Sequence, residues 1–262
     1  MAALIGTYAA AMATTAGVAS GIAVPVSHVA GMDWRWSIGI WAILALVTLI
    51  AWIPQLAGKV QGAALAAAPR QPAESAWKHA IGWQVSFFFA LHSFVFYSVI
   101  DWYGAYAASV GISARRAGTD LLVFQVVAVA TNLGSASFIK RAHDQVALGF
   151  TCGLLLLTGS AGLLLAPAWS LLWLISSGLG AGIAMVTSLS LFALRTRDHH
   201  QAAALSGMAQ FVGYAGAALG PLLFGIVRDA TGGWRAPLLL LAGCSALVIV
   251  FASLAGRRRQ IG

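Results

Sequence analysis

Ala236-Pro-Leu-Leu-Leu-Leu-Ala-Gly-Cys-Ser-Ala-Leu-Val-Ile-Val-Phe-Ala-Ser-Leu-Ala255 is a twenty-residue run without a charge, and it stops against Arg257, Arg258 and Arg259. As a helix rising 1.5 Å per residue, such a run covers about 30 Å, the hydrocarbon thickness of a bilayer. Only helices or closed barrels satisfy their backbone polar groups in lipid, and a continuous apolar run selects the helix. Working outward, seven further runs of this kind are found: Leu4–Val26, Trp36–Leu56, Ile81–Tyr103, Thr119–Ile139, Val146–Ala166, Trp169–Leu194 and Ala202–Val227. The first is rich in Ala, Gly and Thr, and no Lys or Arg precedes it, so it reads as a span rather than a signal peptide. The expected fold is an all-α polytopic membrane bundle of eight transmembrane helices.

Composition agrees. Of 262 residues, 60% are hydrophobic and only 8% charged, against roughly 45–50% and 25% in soluble domains. Mean hydropathy is +0.86. Fifteen Lys and Arg and seven Asp and Glu are too few to clothe a soluble surface. The net charge of +8 would suggest nucleic acid in a soluble chain. Here it reflects the Lys and Arg that membrane proteins keep on their cytoplasmic side, and no nucleic-acid partner is expected. Cys152 and Cys244 lie far apart in apolar runs, which supports neither a disulfide framework nor a metal site.

Cations on alternate connections set the expected orientation. Lys59, Arg70, Lys78, Lys140, Arg141, Arg195, Arg197, Arg257, Arg258 and Arg259 fall on one side, ten in all; Arg35, Arg115, Arg116, Arg228 and Arg235 fall on the other. The richer side should be cytoplasmic, which places both termini inside the inner (plasma) membrane. Trp34, Trp36, Trp77, Trp102, Trp169 and Trp234 lie at expected span ends, where an amphipathic ring suits the interface. Residues 58–79, with Pro69, Pro72 and an alanine run, read as a cytoplasmic linker. It separates a two-span piece, residues 1–57, from a six-span piece, residues 80–262.

Enzyme motifs are missing: there is no H-E-x-x-H and no G-x-x-x-x-G-K-[ST]. Gly159-Ser-Ala-Gly162 has its serine one place early for a nucleophile turn and reads as small residues at a helix contact. Asp198-His199-His200 reads as a helix cap followed by solvated histidines, not a metal site. No enzyme, metal or cofactor is expected. Gly178, Gly180 and Gly182, with Gly213, Gly216 and Gly220, suit close helix crossings. Whether such faces are only packed or must also slide stays open in the sequence.

Polar groups within spans carry the functional signal, because lipid exposure is costly and each must face a cavity or another helix. His92 lies mid-span with Gln84 two turns earlier, and reads either as pore-facing or as a hydrogen-bonded packing histidine. Asp101, nine residues on, is about 180° round the helix and reads as an interfacial carboxylate. Gln125 and Asn132 share one helix face, Gln210 and Tyr214 another, and Thr187 and Ser188 add hydroxyls. Together they suggest a weakly polar, largely uncharged cavity for a small molecule.

Several motifs recur in a known order: Gly31-Met-Asp-Trp-Arg-Trp36, Lys140-Arg-Ala-His-Asp-Gln145, Leu179-Gly-Ala-Gly-Ile183 and Ala203-Ala-Leu-Ser-Gly-Met-Ala-Gln-Phe-Val-Gly-Tyr214. Gly220-Pro-Leu-Leu-Phe-Gly-Ile-Val-Arg-Asp-Ala-Thr-Gly-Gly-Trp-Arg-Ala-Pro-Leu238 is the most specific. With these the chain resembles the major facilitator superfamily, in its cyanate- and nitroimidazole-transporter-like branch. The resemblance implies a partial major-facilitator fold, with the eight spans matching the family's fifth to twelfth and the first four lacking. That shortfall would reflect a misassigned start, a truncated gene or a fragment. It further implies a secondary transporter that moves a small solute, cyanate-like or nitroimidazole-like, by alternating access, with proton coupling as an option. The alternative is a truncated, non-transporting membrane remnant. In the family the spans matching the third and sixth border the central cavity, so His92, Thr187 and Ser188 are expected to bind substrate, supported by Gln210 and Tyr214. Asp101-Trp-Tyr103 stands where the family usually has a Trp-Leu-Pro-like end, and Ala184-Met185 where it has Phe-Pro.

Overall fold

The computed structural model describes residues 34–65 and 75–261, and outside them only Thr15 and Val26. The chain divides into two compact units, Met12–Ala73 and the remainder. In the first, the described helix is α1, Trp34–Leu65, with Pro54 inside it. Its stretch Ile38–Pro54 is apolar, and Ile38, Ile43 and Leu49 are exposed, as suits lipid. The expected span Leu4–Val26 lies outside the described residues except at Thr15 and Val26.

Among its described residues the larger unit contains six α-helices. They are α2 (Ala80–Ser109), α3 (Ala114–Arg141), α4 (Val146–Leu165), α5 (Ser170–Leu194), α6 (His199–Thr231) and α7 (Arg235–Gly256). Among the described residues these six are long and apolar enough to cross a membrane, whereas α1 offers the shorter apolar stretch Ile38–Pro54. Of the eight expected spans, six are thus present as full-length spans among the described residues, and Trp36–Leu56 appears within α1 as a shorter apolar stretch. Several helices overrun their apolar runs, because a helix can continue into the headgroup layer until a stop signal ends it. Gly111 (φ 79°) follows α2 and Gly232 (φ 65°) ends α6, both in the left-handed region where a side chain would be strained. At the start of α3, the Ser113 hydroxyl accepts from Arg116 N.

The main packing pairs are α2 with α6, α3 with α5, α4 with α7, α4 with α5 and α2 with α7. Exchanging α2–α4 for α5–α7 maps this set onto itself: α2·α6 becomes α5·α3, α2·α7 becomes α5·α4, and α4·α7 is unchanged. The unit is thus built of two three-helix repeats, an arrangement common in transporters. Helices α2 and α5 are the most buried, while α3 and α6 are the most open.

Glycine makes the close crossings possible. A Cβ on Gly216 would lie 2.8 Å from the Ala90 carbonyl oxygen, and one on Gly220 would lie 2.8 Å from that of Phe94. Gly178 meets the Phe124 carbonyl of α3, and Gly182 that of Ala128. On α4, Gly149 and Gly153 sit against Ala252 and Ile249 of α7. Without side chains the backbones themselves come into contact, which is how helices associate where water provides no driving force.

Candidate functional site in the α2–α5–α6 wall

His92 is buried, with 4% of its surface exposed, between α2 and α5. Its Nε2 is 3.2 Å from Ser188 Oγ. The Ser188 hydroxyl also donates to the Met185 carbonyl at 2.9 Å. A hydroxyl has one proton, so while Ser188 donates to Met185 its oxygen accepts from His92 Nε2–H. The imidazole packs against Phe88 and stands edge-on to Phe89, with centroids 5.1 Å apart. Phe89 in turn meets Tyr214 of α6 edge-on at 5.7 Å, and Tyr214 is 44% exposed. A contact series therefore runs from the buried polar pair to an open tyrosine.

The other expected site residues lie apart from this pair. Thr187 is fully buried, and its Oγ1 has no hydrogen-bond partner. Successive helical residues diverge by about 100°, so Thr187 and Ser188 point in different directions. Gln210 is half-buried and donates to Ser206 Oγ on its own helix at 2.7 Å. The Asn132 Oδ1, in α3, is buried and unpartnered. A crevice of about 10 Å³, room for one water, is lined by Ser98, Trp102, Tyr106 and Phe224. None of the five expected site residues lines it.

Two polar clusters escaped the sequence reading. Asp120 of α3 is 2% exposed; its Oδ2 accepts from the Tyr103 hydroxyl at 2.6 Å and from Ser170 Oγ at 3.4 Å. This joins α2, α3 and α5 near one end of the bundle. At the opposite end, Arg195 is 3% exposed and donates to the carbonyls of Ala255 (2.7 Å) and Gly256 (2.8 Å) and to Gln145 Oε1 (2.5 Å). It thereby caps the last turn of α7 from the end of α5. Burial pulls its pKa below the usual arginine value, partly opposed by the charge of Asp144. Arg195 entered the sequence reading only as one cation among ten.

Asp198 is the expected cap: its Oδ1 accepts from His200 N at 2.8 Å and Gln201 N at 2.9 Å. Trp102, expected at the interface, is half-buried, and its Nε1 donates to the Pro221 carbonyl at 2.9 Å. Because α2 runs on to Ser109, Trp102 is not at a helix end. Trp169 and Trp77 are exposed, as an interfacial role requires.

Residues 2–221 match the family described as Major Facilitator Superfamily. The 2-nitroimidazole transporter of Escherichia coli (strain K12) is 34% identical over 258 residues, 98% of this chain and 65% of that protein. The cyanate transport protein CynX of the same organism is 27% identical over 228 residues, 84% of this chain and 57% of that protein. The chain thus spans less than two thirds of the length of these relatives. Among solved structures, the E. coli fucose:proton symporter shares the fold with a TM-score of 0.54 at 16% identity, over 69% of this chain and 44% of that one.

Proposed function

The chain belongs to the Major Facilitator Superfamily, and from that premise we propose that it acts as a secondary transporter, or the larger part of one, in the cell's inner membrane. It moves a small solute by alternating access. Similarity to the nitroimidazole and cyanate transporters supports a nitroimidazole-like or cyanate-like solute. Residues 80–262 form the six-span half, joined through 58–79 to a two-span piece, and the cation-rich end faces the cytoplasm together with both termini. Proton coupling belongs to the same proposal.

In this reading the wall of the path is built from α2, α5 and α6. Tyr214 and Gln210 meet the solute directly. His92 and Ser188, hydrogen-bonded to each other, hold the wall behind them, and Thr187 contributes its unpaired hydroxyl. The observation that carries this is the series His92–Phe89–Tyr214, which connects a buried polar pair to a half-exposed tyrosine. A polar group so deep in a span would cost on the order of 1–3 kcal/mol if left unbonded, a cost that the bond between His92 and Ser188 avoids.

The test is uptake of labelled 2-nitroimidazole and of cyanate by cells carrying the gene at its native locus. Tyr214→Ala should lower the uptake of one of them by about tenfold, with the amount of protein in the membrane unchanged. His92→Ala should lower it as well. If both variants transported as well as wild type, this assignment would be wrong.

A further inference from the structure

The last residues of the chain are held across one end of the bundle as a strap. After α7 ends at Gly256, the Arg259 amide donates to the Arg257 carbonyl at 2.8 Å, which turns the chain back. The Ile261 amide then donates to the Arg195 carbonyl at 2.9 Å, and the Ile261 side chain is 1% exposed in the core. Gln260 reaches the Thr196 carbonyl at 3.4 Å. Arg195 is therefore gripped twice: its carbonyl by the strap, and its guanidinium by the end of the helix that the strap leaves.

This geometry fixes Arg257, Arg258 and Arg259 at the surface, all three exposed, beside exposed Arg141 at the last position of α3. Arg258 donates to His143 Nε2 in the α3–α4 connection at 3.2 Å, since a guanidinium can only donate. Among the described residues, no carboxylate forms a salt bridge with these arginines. Asp198 is engaged by the backbone at the start of α6, and Asp144 accepts from Val146 N at 3.1 Å at the start of α4. Among the described residues, the ion pair between side chains is at the opposite end, Arg228 with Asp229 at 2.9 Å.

We propose that Arg141, Arg257, Arg258 and Arg259 form a docking surface for the phosphodiester headgroups of anionic phospholipid. These cations lie where two spanning helices end, which is the depth of the headgroup phosphates. Arginine offers those oxygens a planar fork of donors. Basic clusters beside a span draw anionic lipid, and the attraction weakens over a Debye length in salt. Topology alone would require only that the cations be present. The strap goes further and holds them in one place before lipid arrives, which reduces the ordering cost of binding.

The experiment uses the whole purified chain in bilayer nanodiscs of phosphatidylcholine, with and without phosphatidylglycerol, and reads the thermal unfolding midpoint. Phosphatidylglycerol should raise the midpoint by several degrees, and high salt should remove most of that rise. The triple variant Arg257→Gln, Arg258→Gln, Arg259→Gln should lose the response, while the triple Lys variant keeps most of it. Arg115→Gln with Arg116→Gln, at the other end of the bundle, should respond like wild type. Should the Gln variant not fold, the lipid and salt comparisons on wild type still decide. Equal midpoints in the two lipids, an unchanged response in the triple Gln variant, or equal protection by free inorganic phosphate would each overturn the proposal.

Discussion

The hydroxyl of Tyr103 donates to Asp120 Oδ2 at 2.6 Å, tying α2 to α3 through a carboxylate that is almost wholly buried. Ser170 at the start of α5 approaches the same oxygen at 3.4 Å, so both three-helix repeats meet at one atom. A hydrogen bond to a charged group contributes roughly 1.5–3 kcal/mol, and its loss leaves the carboxylate short of a donor. Tyr103→Phe should therefore lower the thermal midpoint of the purified chain. Asp120→Asn should cost less, because an amide can still accept from Tyr103. An unchanged midpoint in Tyr103→Phe would show that the bond contributes nothing net.

Arg195 poses a sharper test of shape against charge. Its guanidinium reaches two carbonyls of α7 and the Gln145 side chain at once, and a lysine ammonium cannot reproduce that fork. Arg195→Ala should destabilise by about 2–4 kcal/mol, because it leaves buried acceptors unmet. Arg195→Lys should recover less than half of that loss. Denaturant unfolding of the three proteins provides the comparison, and full recovery by lysine would mean that charge alone matters.

Two glycines on α6 separate packing from propensity. A Cβ on Gly216 would lie 2.8 Å from the Ala90 carbonyl oxygen, whereas nothing lies within 4 Å of one built on Gly207. Alanine at Gly207 should stabilise the helix by up to about 1 kcal/mol, since glycine is the poorer helix former. Alanine at Gly216 should instead force α2 and α6 apart and lower the thermal midpoint clearly. If both changes had the same sign, the close crossing would not be the reason for Gly216.

The six spans of the larger unit were legible because each is a run of apolar residues long enough to cross lipid, a property carried by neighbours in sequence. The Asp198 cap was legible for the same local reason. Contacts between distant segments were not. Tyr103 and Asp120 are 17 residues apart on different helices, and His92 and Ser188 are 96 apart. Helical periodicity shows which residues share a face, but not which face of which helix it meets. Arg195 was counted among surface cations because its burial depends on where α7 ends, 61 residues later at Gly256. The bond from Trp102 to the Pro221 carbonyl, across 119 residues, is another contact of this kind.

Asp198 gives the pH dependence a definite sign. Its carboxyl is held below the ordinary aspartate value, first by the hydrogen bond from the Gln201 amide, opposed next by desolvation, and then lowered further by the hydrogen bond from the His200 amide and the charges of His200 and His199. Because the folded value is depressed, the ionised cap favours the folded state at neutral pH. That contribution begins to fade as pH falls below the unfolded carboxylate value of about 4, and it is gone once pH passes below the folded one. The side chain is exposed, so salt weakens its charge interactions but leaves the two backbone hydrogen bonds in place. Asp198→Asn keeps a capping oxygen without a titrating group. The thermal midpoint of wild type should therefore exceed that of the Asn variant most near neutral pH, and the difference should shrink or reverse on acidification. A difference between the two that stayed constant from neutral pH to below about 3 would mean that Asp198 caps α6 without any linkage to protons.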